Sequence, residues 1–232
     1  MQSTAPDHTL VLLGRAVRPV RRTAVPGDSL VEAIYSILNR LAAALLLLLL
    51  LPLMALVAWQ IRKVDGAPIL YGHSRVGRSG RIFRCWKFRS MVLDSDQALQ
   101  RLLQRDPAAR AEWERDHKLR DDPRVTPIGR FLRRSSLDEL PQLFNILAGH
   151  MHFVGPRPVT LAELRRYGKH KRHYLSVRPG LTGLWQVSGR NTTTYDHRVQ
   201  LDARYVERRN PLVDLWIVLR TLKVVALKEG AA

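Results

Sequence analysis

The sequence predicts an α+β, helix-rich fold: a long apolar helix near the N-terminus, then a small domain built from a short β-hairpin and amphipathic helices. Three observations predict it. Leu41 to Trp59 carries no charged or polar side chain. Between Ile69 and Met91, apolar residues alternate at period two between glycines. Beyond Asp94, apolar residues recur at helical spacing among charges.

Taken in order, residues 1–28 are polar and basic with Pro6, Pro19 and Pro26, and read as a mobile basic tail. Residues 29–63 form the membrane-anchoring helix region. Its apolar run of 19 residues, Leu45–Leu51 being leucine throughout, reaches about 28 Å as a helix and matches a bilayer core of ~30 Å. A signal peptide fits less well, because about forty residues precede the run and no small-residue cleavage site follows it. Pro52 removes a helical hydrogen bond within the run and predicts a kink or break. Arg15, Arg18, Arg21, Arg22 and Arg40 precede the run, and Arg62 and Lys63 follow it. The positive-inside rule then asks both ends to face the cytoplasm, as a re-entrant helix allows. A single straight span stays open as the alternative.

Residues 64–232 form the remaining domain. Ile82, Phe83, Trp86 and Phe88, with Gly72, Gly77 and Gly80, predict the hairpin. Asp94–His117 reads as a solvated amphipathic helix interrupted near Pro107, and Ile128–Arg133 as a short helix. Leu140–Ala148 reads as another, closed by Gly149. Arg178–Asn191 is a loop punctuated by Gly180, Gly183 and Gly189. Leu212–Leu227 is a last apolar helix, suited to core packing or to a membrane interface.

The charge balance, 38 Lys and Arg against 20 Asp and Glu, calls for an anionic partner. A single cysteine, Cys85, excludes an internal disulfide, and no zinc-ligand spacing occurs.

The adjacent carboxylates Asp138 and Glu139 sit where a helix begins. Ser136 and Glu139 have the spacing of a capping box, but that register puts Pro141 at the fifth helical position. With Asp138 as N-cap, Pro141 falls in the first turn, where it is tolerated, and this register is preferred. Helix capping alone would account for the pair. Around it, Lys87 and Arg89 share a face if their segment is a strand. Arg124, Arg157 and Arg190 lie on tightly turned backbone suited to phosphate recognition.

Five motifs in order carry a resemblance: Lys87–Met91, Asp122–Val125, Ser136–Gln142, Val154–Pro158 and Arg178–Asn191. Together they resemble the bacterial sugar transferase family, the monotopic phosphoglycosyl transferases. Asp106–Ala109 through Trp113 is similar to the undecaprenyl-phosphate galactose phosphotransferases of exopolysaccharide synthesis. The resemblance implies a small cytoplasmic catalytic domain on the bacterial inner membrane. It also implies transfer of a sugar 1-phosphate from a UDP-sugar, such as UDP-galactose or UDP-glucose, to undecaprenyl phosphate with release of UMP. By motif position Asp138 would be the nucleophile, forming an aspartyl-phosphosugar intermediate. Glu139 would be its partner, and Mg2+ would sit at the two. Arg157 and Arg190 would hold phosphate or nucleotide, with Lys87, Arg89, Gln186 and Asp202 as further substrate-binding candidates. The expected partners are the UDP-sugar, undecaprenyl phosphate and anionic membrane lipid, without nucleic acid; a homodimer is left open.

Two positions depart from the family pattern. Leu51 stands where a serine usually precedes the proline, and Gly149-His150-Met151-His152 replaces Gly-Asp-Met-Ser. An altered loop, rather than a metal site at His150 and His152, is the expectation. The rival from another class is a non-catalytic, membrane-anchored basic module binding anionic lipid or nucleic acid. It leaves the acidic pair and the ordered glycine motifs unexplained.

Overall fold

The computed structural model describes residues 26–116, 119, 121–189 and 194–226. The basic tail expected over 1–28 lies outside the described residues up to position 25, and a helix begins at Pro26. That helix, α1 (Pro26–Asp65), runs unbroken through Pro52, so the break expected there does not occur. Among the described residues it is the one helix long and apolar enough to cross a membrane.

A stripe of α1 docks on the domain along the helix. Ala43, Leu47, Met54, Val57 and Ile61 are buried at helical spacing, on both sides of Pro52. They join Phe83, Cys85, Phe88, Leu132, Leu143, Ile146 and Met151 in one core cluster. Each buried aliphatic side chain there contributes about 1.5–3 kcal/mol. The opposite face, including Leu41, Leu45, Leu48, Leu49 and Leu56, is exposed. Arg89 seals the C-terminal end of α1 by donating to the carbonyls of Asp65 and Gly66, groups a helix end leaves without partners.

The hairpin forms as expected, from β1 (Leu70–Val76) and β2 (Ile82–Phe88), antiparallel with Tyr71 opposite Lys87. The charged amphipathic stretch divides at Pro107 into α2 (Ser95–Arg105) and α3 (Pro107–Asp116). A Thr126 cap and Pro127 start α4 (Pro127–Ser135), and α5 (Gln142–Leu147) follows. The loop read over Arg178–Asn191 contains β4 (Gly180–Thr182), which pairs in parallel with β3 (His152–Val154). Between these strands lie α6 (Leu161–Arg165) and α7 (Lys171–Ser176). The short α8 (Leu184–Val187) precedes α9 (Tyr195–Arg208) and α10 (Pro211–Ala226).

Backbone sterics explain why Gly155 and Gly180 stand at this crossing. A Cβ on Gly180 would lie 2.1 Å from the Gly155 nitrogen, so only hydrogen fits there.

Candidate functional site

Asp138 and Glu139 lie in a single 3-10 turn, Leu137–Glu139. Neither register expected from the sequence is adopted. Ser136 is left-handed (φ 56°) and ends α4, and neither a capping box nor an Asp138 N-cap forms. The physical reason is that the chain reverses tightly after α4 and closes with i→i−3 bonds. Glu139 N–H donates to Ser136 O and Leu140 N–H to Leu137 O, both at 3.2 Å. Pro141 then falls between this turn and α5, where its missing N–H costs nothing.

Lys87 reaches the turn from β2. Its Nζ is 2.6 Å from Glu139 Oε1 and 3.5 Å from Asp138 Oδ2. The strand is clipped in place by Asn145 of α5, which accepts from Trp86 N–H (2.9 Å) and donates to Arg84 O (2.7 Å). Because α5 directly follows the acidic turn, this clip fixes the lysine relative to both carboxylates. Asp138 is buried, 7% exposed, and burial raises its pKa above the ordinary carboxylate value. Lys87 opposes the rise, Glu139 adds to it, and Arg133 opposes it more weakly. Lys87 and Glu139 therefore act on it in opposite directions.

A second group gathers around Trp185 of α8. The Arg157 guanidinium lies 5.9 Å and that of Arg198 4.9 Å from its ring centroid, while Arg166 lies 3.7 Å from the ring of Tyr195. Burial lowers the Arg198 pKa, and Arg157 and Arg166 add to the effect. Three guanidinium groups so placed suit an anion with several oxygens. On β2, burial raises the Cys85 thiol while Lys87 and Arg157 both oppose the rise, so the two groups share one electrostatic neighbourhood.

The other candidates are placed differently. Arg89, just past the end of β2, donates to the carbonyls at the end of α1 and not to the carboxylates that Lys87 contacts. Gln186 is buried and donates to Leu181 O at 3.1 Å. Asp202 is buried at 2% exposure and accepts from Tyr167 Oη at 2.7 Å. Its burial pushes the pKa up to about 7, with Tyr167 and Arg157 opposing. Asp202 therefore adjoins Arg157, while Gln186 is tied to the Leu181 backbone. Arg190 lies outside the described residues. Arg124 is held by Asp122 through two contacts of 2.8 and 2.6 Å, a pairing internal to that motif.

His152 is buried and its pKa falls to about 3, first from burial and then from Arg178, while His150 stacks on Phe83. The described residues contain no group of three metal-ligating side chains. The donor set at Asp138 and Glu139 is nevertheless all oxygen, although Lys87 Nζ occupies one oxygen of each carboxylate. Oxygen-only donors of this kind match a hard divalent cation such as Mg2+ in type, with one or two carboxylates completed by substrate phosphate and water.

Sequence reasoning missed Arg166, Arg198 and His73. For His73 the signal was alternation along β1, where it shares a face with Arg75; its pKa is lowered by burial and by Arg75, with Lys87 adding. Arg198 lies one helical turn before Asp202, on the same face of α9.

The site thus combines a buried carboxylate, a second carboxylate, a shared lysine and a guanidinium cluster, on a fold with an apolar helix. Residues 31–228 match the model of the bacterial sugar transferase family, and the chain belongs to that family. Among its relatives is the undecaprenyl-phosphate galactose phosphotransferase of Salmonella typhimurium, 52% identical over 187 residues, 81% of this chain and 39% of the relative. The UDP-galactose-lipid carrier transferase of Erwinia amylovora is 51% identical over 183 residues, 79% and 38% of the two chains. The exopolysaccharide production protein ExoY of Sinorhizobium fredii is 49% identical over 191 residues, 82% and 84%. The chain therefore spans about two fifths of the length of the first two relatives and most of the third.

Proposed function

We propose that the chain is a phosphoglycosyl transferase that moves a sugar 1-phosphate from a UDP-sugar to undecaprenyl phosphate, initiating exopolysaccharide or glycan assembly. The observation that carries this reading is the buried Asp138 sharing Lys87 with Glu139. The relatives named for UDP-galactose and, at 34% identity, for UDP-glucose make those two the donors to test first.

In this reading an Asp138 carboxylate oxygen attacks the β-phosphorus of the UDP-sugar. An oxygen–phosphorus bond forms, the bond to the bridging oxygen breaks, and UMP leaves. The acceptor's phosphate oxygen then attacks the aspartyl phosphorus, giving the lipid diphosphate sugar and restoring the carboxylate. One carboxylate about 4 Å from one phosphate charge is opposed by roughly 4 kcal/mol at an effective dielectric near 20, so neutralisation precedes attack. Lys87 supplies part of it. Glu139 holds Lys87 and, with Asp138, would hold Mg2+, which when bound supplies further neutralisation of the diphosphate. Arg157, Arg166 and Arg198 bind the donor's phosphates or nucleotide.

The chain works at the cytoplasmic face of the inner membrane in this reading, with α1 bending at Pro52 without a break so that it enters and leaves on one side, and anionic lipid beneath the basic domain. Two facts support that topology. The basic residues flank both ends of the apolar run, and both ends of α1 touch one domain, at Glu32 and at Asp65. A single crossing would separate those ends by ~30 Å of hydrocarbon.

The test is UMP release from UDP-galactose and UDP-glucose by the purified chain with polyprenyl phosphate and Mg2+. Asp138→Asn should lower it roughly a thousandfold or more. Donor labelled in the β-phosphate should leave label on wild-type protein after rapid quench; full turnover by Asp138→Asn, or unlabelled wild type, would overturn the assignment.

A further inference from the structure

At the far end of β2 from Lys87, two adjoining clefts of about 400 and 370 Å3 open between α1 and the hairpin tip. Phe83 lines the first, four residues and roughly 13 Å along the strand from Lys87. The described lining residues bring four guanidinium groups, Arg40, Arg78, Arg81 and Arg178, against the single carboxylate of Glu32. That carboxylate is already engaged. Its Oε1 accepts from Arg178 (2.6 Å) and Arg78 (2.9 Å), and its Oε2 lies 3.1 Å from Arg209. Arg40 and Arg81 are exposed, and the Arg40 guanidinium lies against Gly149. The cluster is thus short of negative charge. Consistent with this, burial lowers the Arg178 pKa, Glu32 opposes that, and Arg40 and Arg209 add to the lowering.

The clefts also adjoin exposed apolar surface. Ile37 of α1 and Ile82 of the hairpin line them and are 56% and 59% exposed, and Ile34, Leu38 and Leu41 continue the apolar face. A guanidinium-rich cleft beside an exposed apolar ridge matches a molecule with a phosphate head and a hydrocarbon tail.

We propose that these clefts form a site for the headgroup phosphate of an anionic membrane phospholipid, separate from the Asp138–Glu139 site. The proposal rests on the reading that α1 holds the chain at a membrane. Its chemistry, phosphate on guanidinium, is shared with a free phosphate, and the experiment separates the two sources. Arg78 and Arg178 are left intact because they fix α1 through Glu32.

Full-length protein is measured for binding to phosphatidylcholine vesicles and to vesicles mixed with phosphatidylglycerol. Wild type should prefer the anionic vesicles, and the double variant Arg40→Gln/Arg81→Gln should lose that preference by roughly tenfold. The control Arg105→Gln/Arg110→Gln removes the same charge from exposed positions on α2 and α3 and should lose much less. Equal losses in both double variants would mean diffuse attraction and overturn the site. Equal wild-type binding to both vesicle types would overturn it while leaving the membrane reading intact; binding to neither would overturn the membrane reading itself. Inorganic phosphate added to protein in detergent is the last arm: binding that Arg40→Gln/Arg81→Gln abolishes, with vesicle preference unchanged, would assign the clefts to a soluble phosphate instead.

Discussion

At the scale of single residues, Lys87 is the position where structure says most about chemistry. Its Nζ is the cation nearest Asp138 that is also bound to Glu139, and it counters the burial that raises the Asp138 pKa. A nucleophilic carboxylate must be ionised, so activity falls on the acid side of its pKa. Removing the lysine charge raises that pKa further. Lys87→Met should therefore move the acid limb of the kcat/KM–pH profile to higher pH, beyond lowering its plateau. An unshifted limb with only a lower plateau would assign Lys87 to substrate binding alone. Asp202 offers an independent titration. Its folded pKa of about 7 exceeds that of an unfolded aspartate, so the folded chain keeps a proton that the unfolded chain releases from about pH 4. That contribution to stability is complete below pH 4 and is lost as pH rises through 7. Asp202→Asn stays neutral, so its unfolding midpoint should gain on wild type between pH 5 and pH 8, by on the order of a few kcal/mol in stability. Parallel pH dependence in thermal melts of the two proteins would show that another group titrates.

At the scale of elements, the hairpin, the division at Pro107, α4 and α10 were legible because each rests on local chemistry: alternation, a proline, a cap or an apolar stripe. The pairing of β3 with β4 was not legible. It joins His152 to Gly180 across a parallel connection that no local pattern announces, and the glycines that permit it read only as loop punctuation. The acidic turn was misread for a related reason. The left-handed Ser136 is the junction where α4 turns directly into the 3-10 turn, and serine gives no local sign of it. The close approach at β3–β4 makes its own prediction. Gly180→Ala would force a Cβ into the Gly155 backbone and should lower the melting midpoint, at about 2–4 °C per kcal/mol for a chain of this size, by 5 °C or more. An unchanged melting temperature would mean that the crossing yields without cost.

At the scale of the whole molecule, the apolar helix α1 and the domain share one core rather than meeting at a linker. The sequence showed an apolar run of the right length, but the buried stripe within that run does not stand out from its exposed face, because both are apolar throughout. The candidate site was half visible. Asp138, Glu139 and Lys87 converge, whereas Arg89 serves the end of α1 and Arg198 joins Arg157 from a helix that carried no recognised motif. Topology is open to direct measurement. With Cys85 replaced, a cysteine introduced at Gln2 should resist an impermeant thiol reagent added outside intact cells and react after lysis. Ready labelling from outside would establish a straight crossing.

The clasp at Glu32 bears on how the chain is made. Its partners Arg78 and Arg178 follow it by 46 and 146 residues, so α1 leaves the ribosome long before the groups that lock it down exist. At synthesis rates of roughly 5–20 residues per second, Arg178 appears some 7–30 s after Glu32. For much of that interval the stripe of α1 that later packs on Leu132, Leu143, Ile146 and Met151 has nothing of the domain to cover it. Closure of the arginines around Glu32 is therefore a late step, one that follows the synthesis of all of α1.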